Sequence, residues 1–273
     1  MELRFIKVSP TENMTLLIES PVPREQHLEV AEKLIAYGSV YAEQAGYIEE
    51  PVDPLAEKRL QMMAGEFCGN ATLSLAAVLA EEKNLAVGEE TDILLEVSGA
   101  ERLVNCHLRK EEKGFFGKVA MPIPKGMEKK IFCLEGETYE LDVVVFEGIS
   151  HIIVPAALWG EDGVRKAELA AKEWAGEMPE AFGILLFDEE NSACKPLVSV
   201  MGVTLIWERG CGSGTSAVGY YLARKEGKSL SVSLKQPGGI MGAEVSMENG
   251  KITALSITGN VSVVAKGIAY NLE

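Results

Sequence analysis

Trp207-Glu208-Arg209-Gly210-Cys211-Gly212-Ser213-Gly214-Thr215 is the stretch on which the reading of this chain turns. It leaves an apolar, strand-like segment carrying Val203, Leu205 and Trp207 and enters a helical pattern from Ser216 to Arg224. The spacing predicts a cysteine where a helix begins, with the N–H groups of Gly212, Ser213, Gly214 and Thr215 lacking intrahelical partners. Three glycines around it let a ligand approach the main chain closely. The expected result is a thiol beside an anion cradle.

The same design stands upstream as Gly65-Glu66-Phe67-Cys68-Gly69-Asn70-Ala71-Thr72, followed by a run from Leu73 to Leu79 that is apolar on nearly every side. Cys68 and Cys211 are 143 positions apart in a chain of 273, close to half its length, which predicts a duplicated unit. After Cys68 comes a helix and then the strand pattern Asp92 to Gly99; after Cys211 comes a helix and then Leu230 to Gly239. Each half reads as cysteine, buried helix, strand, turn.

A length of 273 residues with 47% hydrophobic side chains allows a core in each of two domains. A net charge of −15 disfavours nucleic acid and anionic membrane as partners, because both repel such a surface. No apolar run approaches the ~20 residues of a membrane helix, and Met1 to Lys7 lacks a leader pattern, so a cytoplasmic location is expected. Five cysteines with no CxxC pair fit reduced thiols better than a disulfide framework. Cys106 alternates with Val104 and Leu108 and reads as core, with His107 on the other face. Cys133 and Cys194, the latter in a polar turn, read as structural.

Strands are predicted at Leu3 to Val8, Met14 to Ile18, Ala45 to Ile48, Leu60 to Met63 and Gly114 to Met121. Arg24 to Tyr37 reads as a surface helix with Leu28, Ala31, Leu34 and Ile35 inward and His27 solvated. The proline-bearing run Pro122-Ile123-Pro124-Lys125 sets the domain boundary. Residues 1–121 form the Cys68 domain, 122–259 the Cys211 domain, and 260–273 return to the first. In the second half, strands are expected at Tyr139 to Phe146, His151 to Val154, Ile184 to Phe187, Leu197 to Trp207, Leu230 to Leu234, Ala243 to Met247, Ala254 to Thr258 and Val261 to Ala265. A helix from about Val164 to Met178 is expected to turn Val164, Ala167, Ala171, Trp174 and Met178 inward, and Asn249-Gly250 signals a hairpin.

Inverting an amino-acid α-carbon needs a base on one face and an acid on the other. A thiolate and a thiol on opposite sides can pass a proton through a planar carbanion, each able to start in either state. A helix N-terminus lowers a thiol pKa, though the dipole itself contributes only ~0.3–1 kcal/mol, so direct N–H contacts and the substrate ammonium must supply the rest. No lysine context suggests pyridoxal phosphate, and three scattered histidines make no metal site. The chemistry reads as cofactor-free and metal-free. The plain alternative is that each Cys-Gly pair only lets a helix pack tightly on a sheet; two matching copies favour chemistry. Dinucleotide, phosphate-loop and nucleophile-elbow patterns are not satisfied.

These residues resemble the diaminopimelate epimerase superfamily, cofactor-independent racemases and epimerases. The resemblance rests on Phe5-Ile6-Lys7 with Asn13-Met14, on Phe67-Cys68-Gly69-Asn70, on Cys211-Gly212-Ser213-Gly214, and on Thr258-Gly259 followed by Gly267. It implies an α/β (α+β) fold of two pseudo-symmetric domains, each a curled mixed β-sheet around a central helix. It also implies Cys68 and Cys211 as paired acid and base, with Asn13, Gly69, Asn70, Gly212, Ser213 and Gly214 holding the α-amino and α-carboxylate groups.

The chain departs from the epimerase at Ile149-Ser150-His151, at Phe182-Gly183 and in the spacing of Glu208-Arg209-Gly210 before the second cysteine. Those positions grip the far end of diaminopimelate in that family, so a different substrate side chain is implied. The sequence is more similar to histidine racemases that supply D-histidine to opine-type metallophores. Asn13-Met14-Thr15, Glu43-Gln44, Glu66 to Thr72, Leu205 to Glu208 and Gln236-Pro237-Gly238-Gly239 carry that likeness. It implies L-histidine to D-histidine inversion, with Glu43 accepting a hydrogen bond from the imidazole and His151, Glu208 and Arg209 at the substrate. The partners expected are a small amino acid and, for self-assembly, a homodimer. Diaminopimelate epimerisation, a proline-racemase-like activity and amino-acid binding without catalysis stay as alternatives.

Overall fold

The computed structural model of the protein describes residues 2–200 and 204–270. By contacts it divides into two compact units, residues 1–120 with 257–273 and residues 121–256.

The first unit begins with a hairpin, β1 (Leu3–Pro10) and β2 (Thr15–Ile18). Helix α1 (His27–Ile35) carries the chain over to β3 (Gln44–Glu49), parallel to β2, and β3 turns back antiparallel into β4 (Lys58–Met62). Helix α2 (Gly69–Glu82) then crosses to β5 (Glu90–Val97), parallel to β4, and the meander β6 (Val104–Lys110) and β7 (Phe115–Ala120) follows. The C-terminal strand Lys251–Ala269 pairs with both β7 and β1, which closes the sheet on itself. Helix α2 lies inside, packed against each of β1 to β7. That is why it is apolar on every side: Ala71, Leu73, Leu75, Ala76, Ala77, Val78 and Ala80 are all buried.

The second unit repeats this order. The hairpin β8 (Gly126–Leu134) and β9 (Glu137–Val145) leads to β10 (Ser150–Pro155), and α3 (Ala156–Trp159) with α4 (Gly163–Glu173) crosses to β11 (Ala181–Asp188), parallel to β10. β11 pairs antiparallel with β12 (Ala193–Val200), which pairs with β13 (Thr204–Trp207). Helix α5 (Gly212–Glu226) crosses to β14 (Leu230–Gln236), parallel to β12, and β15 (Gly239–Glu248) and β16 (Lys251–Ala269) complete the meander. α5 packs against β9, β10, β11, β14 and β15. The approach to β15 is close, since a Cβ added to Gly219 would lie 2.7 Å from that of Ala243. Each unit is therefore a curled mixed sheet around a helix capped by a cysteine. A second core in this unit packs Trp174 on Phe132 with ring centroids 4.4 Å apart, under α4.

Several local expectations are corrected. His27 is buried, stacked on Tyr47 with ring centroids 3.6 Å apart, and its Nε2 meets the Val22 carbonyl at 3.0 Å. The helix presents His27, Val30, Ala31 and Leu34 to the core and turns Leu28 outward, a rotation that hydrophobicity alone did not favour because the stack on Tyr47 lies elsewhere in the chain. Val164 is likewise exposed, and Gly163 faces Leu186 instead. The segment Leu197 to Trp207 is two antiparallel strands rather than one, and positions 201–203 of it lie outside the described residues. Ala254 to Thr258 and Val261 to Ala265 are one continuous strand, β16. β8 is an additional strand. Its charged edge hides the alternation, and its turn uses Glu135 and Gly136 at φ of 51° and 80° rather than Asn-Gly. Cys194 sits buried in β12, not in a turn, and Cys133 is exposed on β8. Among the described residues no helix is long and apolar enough to cross a membrane.

Candidate active site

Cys68 and Cys211 occupy the same local position. Each is the N-cap of its central helix, in extended backbone conformation, and each thiol accepts the N–H three residues on: Ala71 N at 3.4 Å and Gly214 N at 3.2 Å. Each cysteine carbonyl is then bound twice by a threonine four residues later. Thr72 gives N–H at 2.9 Å and hydroxyl at 2.7 Å; Thr215 gives 2.9 Å and 2.6 Å. The pair Cys-x-x-x-Thr thus builds its own cap, and each hydroxyl bond is worth about 1 kcal/mol. Two of the four N–H groups expected to bind an anion at α5, those of Gly214 and Thr215, are committed to Cys211 itself. Gly212 and Ser213 are left to that role.

In the first unit the parallel pairing of β2 and β3 sets Thr15 opposite Gln44. The Cys68 thiol donates to Gln44 Oε1 at 2.9 Å. Gln44 Nε2 donates to Asn13 Oδ1 at 2.6 Å and to Thr15 Oγ1 at 2.9 Å, and Asn13 Nδ2 donates to Glu43 Oε2 at 2.6 Å. Asn13, Glu43 and Cys68, expected from sequence, are therefore joined by two residues that were not, Gln44 and Thr15, while Gly69 and Asn70 follow Cys68 as the first residues of α2. The Glu43-Gln44 run pointed to this place, but no local pattern says which of its two side chains reaches the thiol.

In the second unit Cys211 is 2% exposed. Its N–H donates to Gln236 Oε1 at 2.8 Å, and Gln236 Nε2 donates to Thr215 Oγ1 at 2.6 Å. Gln236, at the end of β14, is a further residue the sequence reading left out. Burial, first, and then the charge and hydrogen bond of the Glu208 carboxylate hold the Cys211 thiol well above its usual range, while hydrogen bonds from Ser213 and the Gly214 N–H pull downward. The lowering expected at a helix start is thus reversed here. Desolvation of a buried thiolate reaches several kcal/mol, against under about 1 kcal/mol for the dipole. Glu208, expected at the substrate, is hydrogen-bonded to the thiol. Arg209 uses its guanidinium on the Pro237 carbonyl at 3.1 Å, and its own carbonyl accepts the Gly238 N–H.

His151 lies on β10, fully buried, with Nε2 2.9 Å from Ser213 Oγ, which is itself 3.5 Å from Cys211 Sγ. Burial pushes it down to about 3, so the ring is neutral at physiological pH. Its Nδ1 has no hydrogen-bond partner among the described residues. Two of the other thiols are held protonated, chiefly by burial. Burial drives Cys106 up beyond the physiological range, and Cys194 up to about 12. No group of three or more His, Cys, Asp or Glu among the described residues is arranged to hold a metal ion.

Comparison with known proteins places this geometry in context. The model of the histidine racemase CntK N-terminal domain matches residues 2–270. A histidine racemase of Fusobacterium nucleatum subsp. nucleatum (strain ATCC 23726 / VPI 4351) is 34% identical over 98% of this chain and 97% of its own. One from Staphylococcus aureus (strain Mu50 / ATCC 700699) is 28% identical over 98% and 97%. Among solved structures, a hydroxyproline epimerase from Agrobacterium vitis with bound trans-4-hydroxy-L-proline superposes with a TM-score of 0.71 at 14% identity, covering 98% of this chain and 92% of that one. A phenazine biosynthesis PhzF family protein from Enterococcus faecalis gives 0.63 at 16% identity, covering 99% and 100%. At such identities the structures speak for the fold.

Proposed function

The chain belongs to the histidine racemase family, and from that premise we propose that it interconverts L- and D-histidine by passing the α-proton between two thiols, Cys68 and Cys211. It is an amino-acid racemase, an isomerase. The observation that carries the two-thiol reading is the repeated cap: a cysteine at the N-terminus of each central helix, its thiol on the third N–H, its carbonyl held by a threonine, and a polar side chain against the sulfur.

In this mechanism Cys211 passes its proton to Glu208, and the thiolate formed removes the α-proton of one enantiomer. Cys68, as thiol, delivers a proton to the opposite face of the planar carbanion. The reverse reaction exchanges these roles, and solvent re-equilibrates the thiols between turnovers. The two thiols and the Glu208 carboxylate supply the acid–base chemistry, without a cofactor. The N–H groups of Gly212 and Ser213 receive the substrate carboxylate, where charge builds as the carbanion takes enolate character. Asn13, Gly69 and Asn70 complete the grip on the α-substituents, while Gly214 holds the Cys211 sulfur.

Glu43 is assigned the imidazole of the substrate, a charge-assisted contact worth ~1.5–3 kcal/mol. Glu43→Gln is expected to weaken preference for histidine over other amino acids; an unchanged substrate ranking removes Glu43 from the specificity site. The product D-histidine serves opine-type metallophore synthesis in this reading. The location is the cytoplasm, in keeping with five cysteines that form no disulfide, and the assembly is a homodimer, which light scattering in solution decides.

The decisive test is α-proton exchange. The reduced protein is incubated in deuterated buffer, without added cofactor, with L-histidine, L-proline, L-aspartate or diaminopimelate, and loss of the α-proton is followed together with chirality. Exchange with inversion of histidine is expected. Turnover of proline or diaminopimelate with histidine untouched would overturn the substrate assignment, and absence of exchange on every substrate would overturn the reaction.

A further inference from the structure

The two thiols face chemically different partners. Cys211 is hydrogen-bonded to a carboxylate, Glu208, which can take its proton. Cys68 is bonded to an amide oxygen, Gln44 Oε1, which cannot. What keeps that oxygen, rather than the amide nitrogen, against Cys68 is a chain of forced choices. A carboxylate only accepts, so Glu43 requires Asn13 to present its NH2 group, seen at 2.6 Å. Asn13 then offers its oxygen to Gln44, which must answer with its own NH2, at 2.6 Å. Thr15 fixes the same orientation independently. Its hydroxyl donates to the Asn13 main-chain carbonyl at 3.1 Å, which leaves it only as acceptor for the Gln44 NH2 at 2.9 Å. The Gln44 oxygen is left pointing at sulfur.

Asn13 and Thr15 are 2% and 0% exposed, so the middle of the chain is shielded from water that could substitute for either amide. Two other charged groups of this unit are committed elsewhere: Lys7 Nζ donates to the Val40 carbonyl at 3.1 Å, and Glu66 Oε2 accepts the Ala64 N–H at 3.0 Å.

We propose that Glu43 is a positioning residue that acts through Asn13 and Gln44 to hold a hydrogen-bond acceptor against the Cys68 thiol, so that Cys68 rests protonated and enters the reaction as the acid. An acceptor stabilises the S–H form and opposes the thiolate. Replacing the carboxylate by an amide frees Asn13 and Gln44 to turn over, and the Gln44 NH2 can then donate to sulfur. The assignment rests on the two-thiol reading for its meaning in turnover, but the relay itself is testable without turnover.

The experiment is the pH profile of alkylation at Cys68 by iodoacetamide, resolved by peptide mass spectrometry, in the wild-type protein, Glu43→Gln and Thr15→Val. Release of the relay moves the midpoint of the profile to lower pH and leaves its high-pH plateau alone. Near pH 7 the rate at Cys68 should rise about tenfold in Glu43→Gln, the change in thiolate fraction that accompanies one pKa unit, and by less in the same direction in Thr15→Val. Mere loosening of the structure would raise the plateau and leave the midpoint in place. An unmoved or upward midpoint in the variants that fold overturns the relay, while the two-thiol reading is judged separately by the cysteine variants below.

Discussion

Gly183 stands opposite His151 in the parallel pair of β10 and β11, and a Cβ built on it would lie 2.7 Å from His151 Cε1 and closer still to Nδ1. The absence of a side chain at position 183 leaves the space the imidazole occupies as it reaches Ser213. Gly183→Ala is expected to push the ring aside, break the His151–Ser213 hydrogen bond and cost about 1–3 kcal/mol of stability by overpacking. Urea unfolding gives the stability and racemisation the functional cost; a variant as stable and active as wild type would show that the ring has room to spare.

Cys68→Ser and Cys211→Ser should each abolish inversion, by at least ~10²–10⁴-fold, because a hydroxyl has no accessible alkoxide to take the place of the thiolate. Serine is an effective N-cap, so both variants should keep wild-type circular dichroism and melting behaviour. Wild-type turnover in either one would end the two-thiol mechanism.

Glu208→Gln separates two roles for one side chain. If the carboxylate receives the Cys211 proton, kcat should fall by about 10²-fold with KM nearly unchanged, since a proton acceptor is lost and no substrate contact. A rise in KM with kcat preserved would return Glu208 to substrate binding.

Stability should depend on pH through His151. Its ordinary value of 6.5 is pushed down to about 3 in the fold, so between these the unfolded chain binds a proton that the folded chain refuses. The contribution is complete above about pH 6.5 and is lost as the pH falls toward 3, with a limiting slope of ~1.4 kcal/mol per pH unit. His27, also lowered by burial, acts in the same direction. Denaturant midpoints at about pH 7.5 and about pH 5 should differ less in His151→Gln than in wild type; equal differences would place the acid sensitivity elsewhere.

The sequence by itself determined the fold class, the two central helices and their cysteine caps, because these are local or repeated signals. A Cys-Gly run between a strand and an apolar helix, with threonine four residues on, needs nothing distant to define it. The family runs around Cys68 and Cys211 carried the racemase reading for the same reason.

Tertiary structure alone decided what surrounds each sulfur. Gln44 meets Cys68 across 24 positions of sequence, Gln236 meets Cys211 across 25, and His151 meets Ser213 across 62, each where the start of a helix packs on a strand in a way local patterns do not encode. The inward turn of His27 escaped because it too depends on a distant contact, the stack on Tyr47. The acid–base balance of Cys211 also depends on the fold, because desolvation, the largest influence on it, is set by how completely the surrounding chain excludes water.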